Sequence, residues 1–181
     1  RAARGGSINT GVMARQRNTA QTAPYNRGVF DARITELCPI VSSIVETGNI
    51  PPTCTGHMSG GPLWTLVYFF TPAKVRHDVD RRVWTDYGPG MAALMVPGMR
   101  YQIDTRPAKG LSRHVWMLMD GLDKNPTAPL TRAWTQQARY VDPDGRLGAY
   151  MVEFAHLAER HEGNPFWFLQ VHGARVFELL N

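Results

Sequence analysis

The longest apolar stretches of this sequence, Leu63–Phe70 and Met91–Val96, are no longer than a single strand or two helical turns. A membrane-spanning helix needs roughly 18–20 consecutive apolar residues, so neither stretch is one. A peripheral place on a membrane complex stays open. Between the apolar stretches stand strong breakers: Pro51-Pro52, Gly60-Gly61, Gly88-Pro89-Gly90 and Pro97-Gly98. A chain cut this often builds many short elements rather than a few long ones. At 43% hydrophobic over 181 residues it carries enough apolar surface for one core.

Periodicity assigns the elements. Leu63–Phe70, rich in aromatic and β-branched residues, predicts a buried strand. Met99, Tyr101 and Ile103 alternate with Arg100, Gln102 and Asp104, which predicts a half-buried strand, and His114–Met119 predicts another. Val83–Tyr87 reads as a short strand. Met91–Val96 reads as one or two helical turns, and Leu130–Tyr140 has helical composition. Asp31–Val45 has helical spacing interrupted by Pro39, and 48–62 reads as a loop. Leu147–His161 is the best helix, with Leu147, Tyr150, Met151, Phe154 and Leu157 on one face. Phe166–Val171 and Arg175–Leu180 read as strands paired across His172-Gly173. The expected fold class is α+β: a single compact domain with a mixed or antiparallel sheet, two or three helices and an extended N-terminal arm. The expected division is a basic arm over 1–30 and a domain over 31–181.

The charge is unevenly placed. Up to Arg33 the chain has six arginines and one acid, Asp31; the remainder balances fourteen basic with fourteen acidic residues. The excess positive charge belongs to the arm, and basic arms bind polyanions or acidic protein surfaces. The arm is also rich in Ala, Thr, Gly, Ser and Asn, the composition of an organellar transit peptide or of the sequence just after its cleavage. Two cysteines, Cys38 and Cys54, are too few for a disulfide scaffold.

Several short patterns invite a chemical reading, and each meets an objection. Gly88-Pro89-Gly90-Met91-Ala92-Ala93 matches a dinucleotide fingerprint, but Pro97 would end its helix after two turns. Cys54 and His57 have chelating spacing, yet a zinc site needs further ligands than Cys38 and a distant His77. Asp142-Pro143-Asp144 with Glu153 echoes a calcium loop, but Leu147 stands where its glycine belongs and Arg146 at a ligand position. His156 and His161, five apart, lie about 140° apart around a helix and do not share an ion; with Glu159 they read as a solvated face. His77-Asp78-Val79-Asp80 reads as a charge-balanced surface. Ser112, His114 and Asp120 supply triad residue types without a nucleophile elbow.

The sequence thus predicts no catalytic, cofactor or metal site. Partner-binding residues are expected at Arg1, Arg4, Arg15, Arg17 and Arg27 on the arm and at Trp134, one of five tryptophans. The leading expectation is a non-catalytic accessory subunit of a large mitochondrial assembly, a respiratory-chain or ATP synthase complex, whose arm anchors it to neighbouring protein subunits. The alternatives are a mitochondrial ribosomal protein with an rRNA-contacting arm, and a small nucleotide-binding enzyme using the glycine turn.

Overall fold

The computed structural model describes residues 25–30, 41–55, 58–59, 61–77, 83–120 and 139–180. Ten strands form two antiparallel sheets among these residues. They are β1 (Tyr25–Phe30), β2 (Val41–Ile50), β3 (Met58–Ser59), β4 (Trp64–Phe69), β5 (Ala73–Arg76), β6 (Thr85–Tyr87), β7 (Met91–Met95), β8 (Arg100–Asp104), β9 (Ser112–Met119) and β10 (Arg139–Val141). Two helices close the chain, α1 (Arg146–Arg160) and α2 (Phe166–Leu180). The six-stranded sheet has the order β1-β2-β9-β4-β7-β10, and the four-stranded sheet the order β3-β8-β5-β6.

The large sheet is the middle layer. Successive residues of a strand face opposite sides, and β4 and β9 use both. Leu66, Tyr68, Val115, Met117 and Met119 pack against the helices with Leu147, Met151, Phe154, Leu169 and Val176. Val67 and Phe69 face the small sheet with Val75, Tyr87, Tyr101 and, at the margin, Trp116.

The α+β expectation is corrected here to a sheet-dominated, antiparallel fold whose two described helices lie on one face of the large sheet. Three misread segments account for most of the difference, and a fourth, the stretch 130–140 of helical composition, has Arg139 and Tyr140 in strand β10 while 130–138 lie outside the described residues. Met91–Met95, expected as helical turns, is strand β7, hydrogen-bonded to β4 on one side and β10 on the other. Its Met-Ala-Ala-Leu-Met composition favours a helix, but pairing on both sides overrides that preference. The turn before it holds Gly90 at φ 79°, its amide donating to Phe69 O (3.0 Å) and its carbonyl accepting from Asp142 N (2.8 Å).

Phe166–Leu180, expected as two strands, is one helix. Its buried residues Leu169, Gly173, Val176, Phe177 and Leu180 repeat at helical spacing. Gly173 is not a turn residue: a Cβ there would run into Val41 Cγ2, so it lets α2 approach the sheet. Gln170 completes this contact, accepting from Val41 N (3.1 Å) and donating to Val41 O (2.9 Å). Third, Val41–Ile50 is a ten-residue strand where a broken helix and the start of a loop were expected. Its partners β1 and β9 flank it along most of its length. The strands expected around β4, β8 and β9 and the helix at α1 are present. Residues 25–30 of the expected arm form the edge strand β1.

Candidate functional site: an open-mouthed chamber between the sheets

The two sheets do not close fully on each other. Between them lies a cavity of about 450 Å³, within the size range of sites that take small organic molecules. The large sheet contributes Thr65 and Val67 from β4 and Ser112, His114, Trp116 and Leu118 from β9. The small sheet contributes Tyr101 and Ile103. The segment 50–63 supplies Ile50, Thr53, Thr55 and Leu63.

Three hydroxyl groups in this lining serve the backbone. Thr105 Oγ1 donates to Thr53 O (3.1 Å) and accepts from Thr53 N (3.0 Å). Thr55 Oγ1 donates to Ile103 O (3.1 Å) and accepts from Ile103 N (2.9 Å). Ser112 Oγ donates to Ile50 O (3.1 Å). These bonds tie the segment after β2 to β8 and β9. A hydroxyl has one proton to give, so each of the three has its donor engaged.

His114 is different. Among the described residues nothing hydrogen-bonds its ring, which lies 6.4 Å from the Phe69 ring, centroid to centroid. Burial pushes its pKa down to about 4, because a charged imidazole is poorly solvated there. It is therefore neutral at pH 7, with one ring nitrogen able to donate and the other to accept. The Tyr101 phenol is pushed up by burial and stays protonated.

The described part of this lining does not fit a metal centre. Among the described residues His114 is its one imidazole, no carboxylate or thiol joins it there, and no three His, Cys, Asp or Glu side chains are grouped to hold an ion. The buried acids are engaged elsewhere. Glu46 Oε1 accepts from Arg113 Nε (2.7 Å) and Oε2 from His156 Nε2 (2.7 Å), across β2, β9 and α1. Asp104 takes two hydrogen bonds from the Arg106 guanidinium (2.9 and 2.8 Å), which hold its carboxyl below the usual range. Asp142 Oδ2 accepts from Tyr68 Oη (2.8 Å) and Gly148 N (3.0 Å), so it caps the first turn of α1.

The residues singled out from the sequence are scattered. Arg1, Arg4, Arg15, Arg17, Trp134, Cys38, His57 and Asp78 lie outside the described residues. Arg27 sits in β1, in register with Glu46. The Gly88–Gly90 turn leads into a strand, so it offers no helix N-terminus to a pyrophosphate, and the nucleotide-binding reading is corrected. Cys54 forms a β-bridge with Asp104. His156 is partly exposed and its ring reaches Glu46, while His161, exposed like Glu159, stacks on Phe168 at 4.4 Å. His77 is not on the surface: it is 2% exposed and its Nε2 shares a hydrogen bond with Tyr87 Oη (2.7 Å). Ser112 and His114 both line the chamber, but Ser112 Oγ is donated to a carbonyl and is not a primed nucleophile.

Sequence reasoning missed the chamber. The signal was the alternation of His114, Trp116 and Leu118 along β9, facing Tyr101 and Ile103 of β8. Of the other tryptophans, Trp64 is buried, Trp84 lies beneath the Arg76 guanidinium at 5.2 Å, and Trp167 stands exposed on α2.

No family model matches the sequence, and no curated protein matches it. Solved structures of similar shape include a cupin 2 conserved barrel domain protein from Salinispora arenicola, at 12% identity and TM-score 0.41, covering 60% of this chain and 86% of that one. A cupin superfamily protein from Desulfitobacterium hafniense has 11% identity and TM-score 0.40, covering 54% and 77%. A variant of Bacillus subtilis oxalate decarboxylase has 14% identity and TM-score 0.42, covering 62% of this chain and 33% of that one. The expectation of an accessory subunit of a mitochondrial complex, and with it the ribosomal alternative, is corrected by these findings. The structures named above are described as cupin proteins or as oxalate decarboxylase, and none of them as a subunit of a respiratory, ATP synthase or ribosomal assembly. No helix among the described residues is long and apolar enough to cross a membrane.

Proposed function

We propose that this protein is a small-molecule-binding module and that the chamber between its sheets is the binding site. The observation that carries this reading is the cavity itself: about 450 Å³ of space between two sheets that elsewhere pack closely. Protein interiors are as dense as organic crystals, and an unfilled apolar volume forfeits dispersion contacts that an occupant would restore. The lining favours binding without turnover. The hydroxyls of Thr105, Thr55 and Ser112 donate to main-chain carbonyls, and Ser112, the hydroxyl two residues from His114 on β9, is thereby not available to its imidazole as a nucleophile.

The test is thermal unfolding against a panel of small organic compounds, with chemical recovery of any that bind. A true ligand at a hundred times its Kd adds about 2.7 kcal/mol of stability, and it is expected back unaltered. Gly61 lines the chamber with open space where a Cβ would stand. Gly61→Phe is therefore expected to fold and to weaken the ligand's effect. Stabilisation that Gly61→Phe and a second filling variant, Thr65→Phe, both leave intact would place the ligand elsewhere. Conversion of the compound would make the protein an enzyme.

A further inference from the structure

The chamber has a chemical character as well as a volume. Among the described residues its lining consists of aliphatic and aromatic side chains, hydroxyls and one imidazole. The hydroxyls of Thr55, Thr105 and Ser112 already donate to main-chain carbonyls. The polar groups left for an occupant are the ring nitrogens of His114, the indole N–H of Trp116, the phenol of Tyr101 and the small hydroxyls of Thr53 and Thr65. His114 and Trp116 are two residues apart on β9, so they stand side by side on one wall, about 7 Å apart along the strand. Tyr101 comes from the opposite wall, on β8. Two aromatic side chains on facing walls suit a flat skeleton lying between them.

The nearby charges are turned away or already engaged. Arg113 precedes His114 on β9, but its guanidinium is held by Glu46 and lies over Phe70 at 4.5 Å. Arg106 is held by Asp104. An anion entering the chamber would lose part of its hydration and meet no cation among the described lining residues. An uncharged molecule would lose little and gain apolar contact. A buried unpaired carboxylate is strongly disfavoured, while a single neutral hydrogen-bonding group finds partners in His114 and Trp116.

Resting on the chamber as the binding site, we propose that it selects an uncharged, flat, largely apolar molecule with one hydrogen-bonding group, and rejects the corresponding carboxylate. His114 receives the polar group, and Trp116 and Tyr101 enclose the ring system. The burial that keeps the His114 imidazole neutral acts in the same direction, since charging it to receive an anion is itself unfavourable.

The experiment compares 1-naphthol with 1-naphthoate by titration calorimetry at pH 7.5, on the full chain and on its Gly61→Phe and His114→Leu variants. The two probes share a ring system and differ in charge. Naphthol is expected to bind at least about tenfold more tightly than naphthoate, a difference of about 1.4 kcal/mol. His114→Leu is expected to cut naphthol affinity about fivefold, the loss of one neutral hydrogen bond, and Gly61→Phe to weaken it further. His114→Arg, which supplies a cation, is expected to narrow or invert the preference. Equal or tighter naphthoate binding that Gly61→Phe still weakens would overturn the charge selection and keep the chamber as a ligand site. Binding of neither probe, or binding that Gly61→Phe and Thr65→Phe leave untouched, would overturn the selection and the chamber reading together.

Discussion

The two faces of the six-stranded sheet are built on opposite rules. On the helix side, contacts are fixed by buried polar groups with defined partners: Glu46 between Arg113 and His156, Asp142 between Tyr68 and Gly148 N, and Gln170 on the backbone of Val41. Two glycines, Gly148 and Gly173, let the helices touch the sheet where any Cβ would collide with Tyr68 or Val41. On the chamber side, the hydroxyls of Thr55, Thr105 and Ser112 serve the backbone of neighbouring segments, His114 is left without a partner among the described residues, and the middle is open. One face specifies a single arrangement. The other holds space. A sheet that must keep a cavity open has to be braced from behind, because an unbraced wall relaxes into a void.

The largest effect that would test this contrast is at Gly148. Gly148→Ala places a Cβ inside the Tyr68 ring, which Asp142 holds in place. It is expected to destabilise the fold by about 3 kcal/mol in chemical denaturation. A loss below about 0.5 kcal/mol would show that α1 is not tightly docked.

Glu46→Ala is next. It leaves Arg113 and His156 without a fully buried carboxylate. Removing one partner of a buried pair is strongly destabilising, but both remaining groups reach solvent, so about 2 kcal/mol is expected. By contrast Trp116→Leu, on the opposite face of β9, is expected to cost about 1 kcal/mol or less of stability and to cost ligand affinity instead. Equal stability losses for the two variants would erase the distinction between the faces.

The smaller prediction concerns acid. His77 and His114 both have pKa values lowered to about 4 by burial. The unfolded chain takes up protons near pH 6.5, before the folded one does. The stability they contribute is therefore fully present above about pH 6.5 and is lost as pH falls from there towards 4. The melting temperature is expected to drop between pH 7 and pH 5, and His114→Leu to flatten part of that drop. A pH-independent melting temperature in His114→Leu would assign the whole effect to the chamber and none to His77.

The sequence made some of this legible and hid the rest for definite reasons. Alternation along Met99–Asp104 and His114–Met119 shows in the residues themselves, because a strand's two faces meet different surroundings. The face of α1 was legible for the same reason: Leu147, Met151 and Phe154 are all buried. Met91–Met95 was not, since its strand form depends on neighbours distant in sequence. Phe166–Leu180 misled because Gly173 reads locally as a turn, while its cause is the close approach of Val41. The chamber could not be read at all from single segments. Its walls come from β4, β8, β9 and the segment after β2, and nothing local announces that Tyr101 and Trp116 line one space. The arginine-rich arm is legible because charge is easy to count, but residues 1–24, which carry most of that charge, lie outside the described residues.

Strand β9 carries a division of labour in its numbering. Its even residues, His114, Trp116 and Leu118, face the chamber, while Arg113, Val115, Met117 and Met119 face the helices. A shift of one residue in register would exchange the two sets. It would put a guanidinium in the chamber and an imidazole in the helix core. While the register holds, the even positions can change with the molecule to be bound and the odd ones need not follow. A descendant of this chain could acquire a new ligand through three alternate letters of one strand and keep the same scaffold.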